Sequence, residues 1–386
     1  MKTPEAEGCA TVLQAFADIE DPRSRACPYP LDELLLVALA AVTSGADDWV
    51  SVVKWGELKL DWLRRLLPFE HGIASHDTFN RVFALLDAQR FEARFIEWMQ
   101  SLCPALAGQA VAVDGKSLRG SRDTGVSPAH LVSAWACGTG LALGQVRTAD
   151  KSNEITALPV LLEALDLRGA TVTLDAMGCQ HEVVQQIVDQ KADYVVAVKD
   201  NQPTLAEAVE ALFDDEAQGL REGRLQEHLT LDKDHGRLET RRCVVARHSG
   251  PLAGASRDWP GLRSAVMIES QREMVNGRKK GEASTEWRYY ISSLDLDAEG
   301  FNRLVRGHWG IENSLHWVLD TTFREDDCRI RRGHGAQNFA ILRRISLNLI
   351  KQEKSGKTSM NIKRLKAGWS TAYLEVVLGL KRSRRS

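Results

Sequence analysis

The chain has 386 residues, with 50 Lys+Arg against 52 Asp+Glu and a formal net charge of −2. Apolar residues are 44% and charged residues 26%, a globular composition that excludes disorder, collagen or a coiled coil as a description of the whole. The length predicts two or more domains, and the seven cysteines, scattered and without a C-x-x-C pair, exclude a zinc ribbon and a thioredoxin-like site.

Residues 1–107 read as helical, because apolar positions in Leu31–Val42, Trp49–Leu67 and Phe79–Met99 recur every three and four residues. Ser75 is a candidate N-cap for a helix starting near His76 after a Gly-containing turn. That layout suits a helix-turn-helix DNA reader and a plain helical bundle alike. The pattern changes at Gln109. Ala110-Val-Ala-Val-Asp114 is a short apolar strand closing on a carboxylate, and His130–Ala136 and Leu141–Arg147 follow as a hairpin across Gly138-Thr-Gly140. Glu154–Leu167 is predicted helical, Ala170–Asp175 is a second buried strand ending in an acid, and His181–Gln190 is a helix. Ala192–Val198 is a fifth strand, closing with Lys199-Asp-Asn-Gln202. A three-stranded meander followed by two helix–strand units is the strand order of a ribonuclease-H-like domain.

Residues 203–285 break this rhythm. Leu225–Leu231 and Leu238–Ala246 flank Asp234-His-Gly236, and Ser264–Val275 leads into the hairpin signal Asn276-Gly277. The fold class expected is therefore α/β: a ribonuclease-H-like core with a β-rich insertion, preceded by an all-helical N-terminal domain. The domains run 1–107 (helical), 108–202 (first part of the core), 203–285 (insertion), 286–351 (rest of the core, with helices Phe301–Leu319 and Ala336–Lys351) and 352–386 (basic tail). No basic-then-apolar segment stands at Met1, and the longest apolar run, Leu34–Val42, is too short to span a bilayer, so a cytoplasmic protein with no membrane partner is expected.

The near-zero charge hides an asymmetry. Residues 301–386 contain 18 Lys+Arg and 7 Asp+Glu, which leaves an acidic body before a strongly basic C-terminal part. Such a split points to a polyanion partner.

Asp114 and Asp175 both end buried strands, at the sheet edge where ligands bind in open α/β folds. Two carboxylates on neighbouring strands need a cation between them or a shared proton, and Mg²⁺ or Mn²⁺ are the natural hard occupants. Glu312, mid-helix in His308-Trp-Gly-Ile-Glu-Asn-Ser-Leu-His-Trp-Val-Leu-Asp320, is the candidate third ligand, with Asp320 about two turns on as its competitor. Three carboxylates around two ions suit phosphodiester cleavage or joining.

Val111-Ala-Val-Asp-Gly-Lys116, Thr173-Leu-Asp-Ala-Met-Gly178 with Gln180, Asp193–Lys199 with Asn201-Gln202, and the helix His308–Asp320 resemble the ISAs-type group of bacterial DDE insertion-sequence transposases, which includes the H-repeat-associated proteins. Asp21-Pro-Arg23, Gly45-Ala-Asp-Asp-Trp49 and Ser75–Phe79 resemble that group's N-terminal region, so the likeness runs to about Lys351. The resemblance implies a metal-dependent triad falling on Asp114, Asp175 and Glu312, with two ions per site. It implies cleavage at terminal inverted repeats and strand transfer to target DNA, by a homodimer at the bacterial nucleoid. The alternatives are a nuclease without strand transfer and a domesticated, inactive DNA-binding relative. The wider superfamily's Tyr-x2-Arg-x3-Glu-x6-Lys signature is represented only by its glutamate, since Val305, His308 and Leu319 hold the other positions. Arg306, His308, His316 and Arg324 are the candidate replacements for its phosphate-gripping groups.

Further candidate DNA contacts are Lys116 and Arg119 after the first aspartate; Lys199, Asn201 and Gln202 at the same sheet edge; and Arg329, Arg331 and Arg332 after the catalytic helix, with Arg343 and Arg344 beyond them. His235 and Arg237 suit a DNA contact or a plain hairpin tip, and Trp287 a base stack or, more commonly, core packing. His308 and His316 straddle Glu312 without an H-E-x-x-H and read as packing or phosphate contacts. Cys179 with His181 lacks an orienting acid for cysteine-nucleophile chemistry. No P-loop is present, so no ATP is expected.

Overall fold

The computed structural model describes residues 14–380 apart from 26, 104, 124–126, 149–153, 235–236, 248–258 and 276–280. Cys9, His235 and the Asn276-Gly277 turn lie outside the described residues. Nine strands form one sheet: β1 (Ala110–Ser117), β2 (His130–Ala136), β3 (Leu141–Thr148), β4 (Thr171–Leu174), β5 (Asp193–Val198), β6 (Leu225–Asp234), β7 (Arg237–Arg247), β8 (Ser264–Met274) and β9 (Ala283–Ser292). Their order is β3-β2-β1-β4-β5-β9-β8-β7-β6. β1 to β3 are an antiparallel meander, and β4 and β5 add in parallel. This fits the ribonuclease-H-like core expected of residues 110–198.

The first five strands read as apolar runs because both faces of the sheet are covered. Side chains alternate along β1. Val111 and Val113 pack with Leu158, Leu161, Val184 and Ile187 on one face, while Ala112 packs with Ile311 and Leu315 on the other. The strand-rich segment after Lys199 is a second meander, β6 to β9, and β9 pairs with β5 in register Val195↔Ser292. It extends the same sheet, because the edge of β5 would otherwise present unpaired backbone groups.

The N-terminal region folds into helices α1 (Leu31–Thr43), α2 (Trp49–Leu58), α3 (Leu60–Leu63), α4 (His76–Leu85) and α5 (Ala88–Leu102). Ser75 caps α4, accepting from the Thr78 N–H. The single helical run read over Phe79–Met99 is broken at Leu86 and Asp87, whose carboxylate caps α5 through Gln89 and Arg90. On the other side of the sheet's first half lie α6 (Glu154–Glu163) and α7 (His181–Asp189), followed in the chain by α8 (Pro203–Glu210) and α9 (Glu216–Arg221).

A long helical element then runs as α10 (Ala298–His308), a π-helical turn (Glu312–His316) and α11 (Trp317–Thr321). Helix α12 (Gly335–Gln352) is buried from Gly335 to Ile350, between the N-terminal helices and the sheet. Several of its polar side chains find partners inside. Asn338 donates to the Phe83 and Leu86 carbonyls, Asn348 holds both backbone groups of Ala142, and Arg344 pairs with Glu325 at 2.9 Å.

Arg343 and Arg344 are 1% and 0% exposed, so the expectation of DNA contacts there is corrected: both guanidinium groups serve the core. The region read as a basic tail also departs from expectation. Residues 360–377 form α13 (Met360–Trp369) and α14 (Thr371–Val377). Buried Arg364 donates to the Val42 and Ala46 carbonyls and pairs with Asp47 at 2.8 Å.

Candidate active site

Parallel pairing of β1 and β4 sets Val113 opposite Leu174, so Asp114 stands beside Asp175. β4 ends before Asp175, whereas β1 does not close on Asp114 as expected but runs on to Ser117 against β2. Asp114 is mostly buried, with its side chain 22% exposed. Burial pushes its carboxyl up to about 7, and Glu312, Glu154 and Asp175 add to the shift against a hydrogen bond from Gly115. Asp175 is more open. Its Oδ1 accepts from the Ala176 N–H at 2.6 Å and lies 3.8 Å from Lys199 Nζ. Glu312 is exposed and opens the π-helical turn, a distortion found frequently at functional sites. The same turn ends at buried His316, whose Nδ1 is 3.5 Å from Asp114 Oδ2. Ligand atoms of Asp114, Glu312 and His316 all lie within 4.8 Å of one another.

Two clamps flank these acids. On one side, His130 Nε2 is 2.6 Å from Glu154 Oε1 and its Nδ1 is 2.9 Å from Ser117 Oγ. The pair occupies the space beside Gly115, where a Cβ would lie 2.5 Å from Glu154 Oε1 and 2.6 Å from His130 Nε2. On the other side, His308 Nδ1 is 2.9 Å from Thr173 Oγ1. Burial lowers His308 to about 4 and His316 to about 3, so both imidazoles are neutral at pH 7. Carboxylate oxygens with one neutral imidazole, around an aspartate that is costly to ionise alone, are a donor set that fits a divalent cation.

A family model described as "Transposase DDE domain" matches residues 106–349, and one described as "DDE_Tnp_1-associated" matches residues 13–99. The chain belongs to the DDE transposase family. A candidate transposase of Escherichia coli O157:H7, YncI, is 41% identical over 374 residues, covering 95% of this chain and 94% of its own. The H repeat-associated candidate transposase YhhI of Escherichia coli K12 is 39% identical and covers 91% and 92% respectively. A solved piggyBac transposase synaptic complex with hairpin DNA superposes at a TM-score of 0.42 and 12% identity, over 97% of this chain and 78% of that one, a likeness too remote to carry the fold.

The family's vocabulary of transposition, DNA recombination and insertion sequences thus applies to the chain. Around the candidate triad, the basic and polar residues expected to grip DNA divide by surroundings. Lys116 is 8% exposed, with Nζ 2.7 Å from Asp320 and 3.2 Å from Asp326. Its charge is spent inside the protein, and Asp320, the competitor of Glu312, is engaged in the same pair. Asn201 and Gln202 donate to the Ala176 and Cys179 carbonyls at 2.8 and 2.9 Å, holding the loop that follows Asp175. Arg306 pairs with Asp232 on β6. Lys199, Arg119, Arg324, Arg329, Arg331 and Arg332 are exposed.

Arg324, Arg329, Arg331 and Arg332 line a cleft of about 740 Å³ together with Trp49, His76 and Asn80 from the N-terminal helices. Trp287 is 54% exposed and lines a smaller cavity of about 170 Å³ with Asp175, Arg288 and Trp309. The thiol of Cys179 is buried and pushed up to about 12, which is unsuited to nucleophilic chemistry. Sequence reasoning missed Glu154 and His130, whose meeting depends on packing between α6 and β2. The only local signal was the glycine directly after Asp114. All described cysteines are free, and no described helix is long and apolar enough to cross a membrane.

Proposed function

We propose that the protein is the transposase of a bacterial insertion sequence, cutting phosphodiesters at terminal inverted repeats and joining the freed 3′-hydroxyl to target DNA. What supports the reading is that Asp114 stands beside Asp175 on paired strands and within 4.8 Å ligand reach of Glu312. Asp114, Asp175 and Glu312 would hold two divalent cations, Mg²⁺ or Mn²⁺. Such ions lower the pKa of an attacking water or hydroxyl and offset charge on the leaving oxygen. Asp114 is mostly buried, with a carboxylate oxygen within 4.8 Å of Glu312, while Asp175 is more open to an incoming strand. Lys199 and the exposed arginines of the 324–332 segment bind phosphates and fix the strand in register. Pairing of two element ends calls for a homodimer, and the substrate puts the protein at the nucleoid.

The test is incubation of the purified protein with a labelled terminal repeat and Mg²⁺ or Mn²⁺. Cleavage and joining are expected, with Asp175→Ala lowering both at least a thousandfold. No cleavage by wild type sinks the enzyme reading, and undiminished activity of Asp175→Ala sinks the triad. Cleavage without joining would assign the nuclease without strand transfer.

A further inference from the structure

Among the described residues one group of three metal-ligating side chains closes tightly, and it is not the three acids. It comprises Asp114, Glu312 and His316, with a ligand atom of each inside 4.8 Å. Asp175 has its carboxylate bonded to the Ala176 N–H and its side chain 49% exposed. The His316 side chain is 7% exposed and buried against the acids. Nδ1 faces Asp114 at 3.5 Å, beyond a good hydrogen bond, and Nε2 is buried with no hydrogen-bond partner. It is therefore Nδ1 that is turned to the acids, and a ring nitrogen lone pair facing a carboxylate calls for a proton or a cation between them. His308, the other histidine flanking Glu312, has its ring fixed by Thr173.

We infer that His316 is a direct nitrogen ligand to the cation held by Asp114 and Glu312, making one of the two metal positions a mixed Asp–Glu–His site. The two carboxylates balance a divalent charge, and the imidazole adds a third ligand within the same 4.8 Å. Glu312 and His316 ride on one π-helical turn, so the two donors are fixed relative to each other by the backbone. Imidazole ligation favours transition ions over Mg²⁺, which takes oxygen donors and keeps its waters. Of the two ions named above, Mn²⁺ accepts such a nitrogen more readily than Mg²⁺. This inference rests on the metal-dependent reading above.

The test uses the full chain without a histidine tag, loaded with Mn²⁺ and examined by electron spin echo envelope modulation, which detects ¹⁴N of a directly bound imidazole. Wild type and His308→Gln are expected to show the nitrogen coupling. His316→Gln is expected to lose it and to bind Mn²⁺ about tenfold more weakly. Bound Mn²⁺ without nitrogen coupling in wild type, or coupling that survives His316→Gln, overturns the inference and leaves the metal-dependent reading standing. Absence of any Mn²⁺ binding that Asp114→Asn removes overturns both. If His316→Gln fails to fold by circular dichroism, the His308→Gln spectrum decides, since loss of coupling there gives the nitrogen to the wrong histidine.

Discussion

Asp114 is held in a position that its own ionisation opposes. Its carboxyl stands at about 7 because burial, and then Glu312, Glu154 and Asp175, disfavour the charged form. A carboxyl raised in this way favours folding while it is protonated. That contribution is complete below the ordinary value near 3.8 and is lost progressively as pH rises toward 7. In the presence of a chelator, Asp114→Asn is therefore expected to be more stable than wild type at pH 8, on the order of 2 kcal/mol, with the difference vanishing near pH 4. Denaturant unfolding at the two pH values measures it, and equal stability at pH 8 would remove the electrostatic account. Gly115→Ala should act in the opposite direction, losing about 1–3 kcal/mol because its methyl collides with the Glu154–His130 pair.

At this scale the sequence was informative where chemistry and local pattern coincide. Asp175 follows the end of β4 as expected, but β1 runs on past Asp114 to Ser117, because β2 continues to pair with it. Lys116 follows Asp114 as closely as a phosphate-gripping residue would, but nothing local reveals that Asp320 and Asp326 return to neutralise it.

Among the elements, α5 shows how a buried acid ties layers together. Glu92 accepts from the Gln145 N–H of β3 at 2.8 Å and from Gln337 Nε2 of α12 at 3.2 Å. Burial pushes it up to about 8. Wild type accordingly loses stability between about pH 4.5 and 8, and Glu92→Gln, which keeps an acceptor for Gln145 and cannot ionise, should lose less than wild type across that range. A variant midpoint that falls in parallel with wild type would refute the assignment. Most strand and helix spans of the core were legible from periodicity, and their succession along the chain matched a ribonuclease-H-like domain. The partner of a strand was not. β9 carries the same alternation whether it closes a separate subdomain or zips onto β5, and only the need to cover the edge of β5 decides. The break between α4 and α5 was also hidden, because the apolar spacing of Phe79 to Met99 runs through Leu86 and only the Asp87 cap marks it.

Over the whole molecule, the charge asymmetry separates into two populations with different tasks. Arg343, Arg344 and Arg364 are buried, and the N-terminal helices and α12 to α14 share one apolar core around them. The cleft between that core and the 324–332 segment has four aspartates in its wall. Asp47 is taken by Arg364, Asp327 by Arg324 and Asp123 lies 3.8 Å from Arg331, while Asp48 caps α2. Arg329 and Arg332 are left as exposed cations without a carboxylate partner among the described residues. If DNA follows this cleft, removing both side chains releases two fewer counterions on binding. Arg329→Ala with Arg332→Ala should then weaken binding to every duplex alike and flatten the slope of log affinity against log salt by about 2, with the melting temperature unchanged. Arg344→Ala should instead cost about 3–5 kcal/mol of stability, because Glu325 would stay buried without its cation. Salt titrations of duplex binding read the first and thermal unfolding the second. An unchanged salt slope in the double variant would place the DNA path elsewhere on the molecule, and a stable Arg344→Ala variant would return that arginine to the surface population.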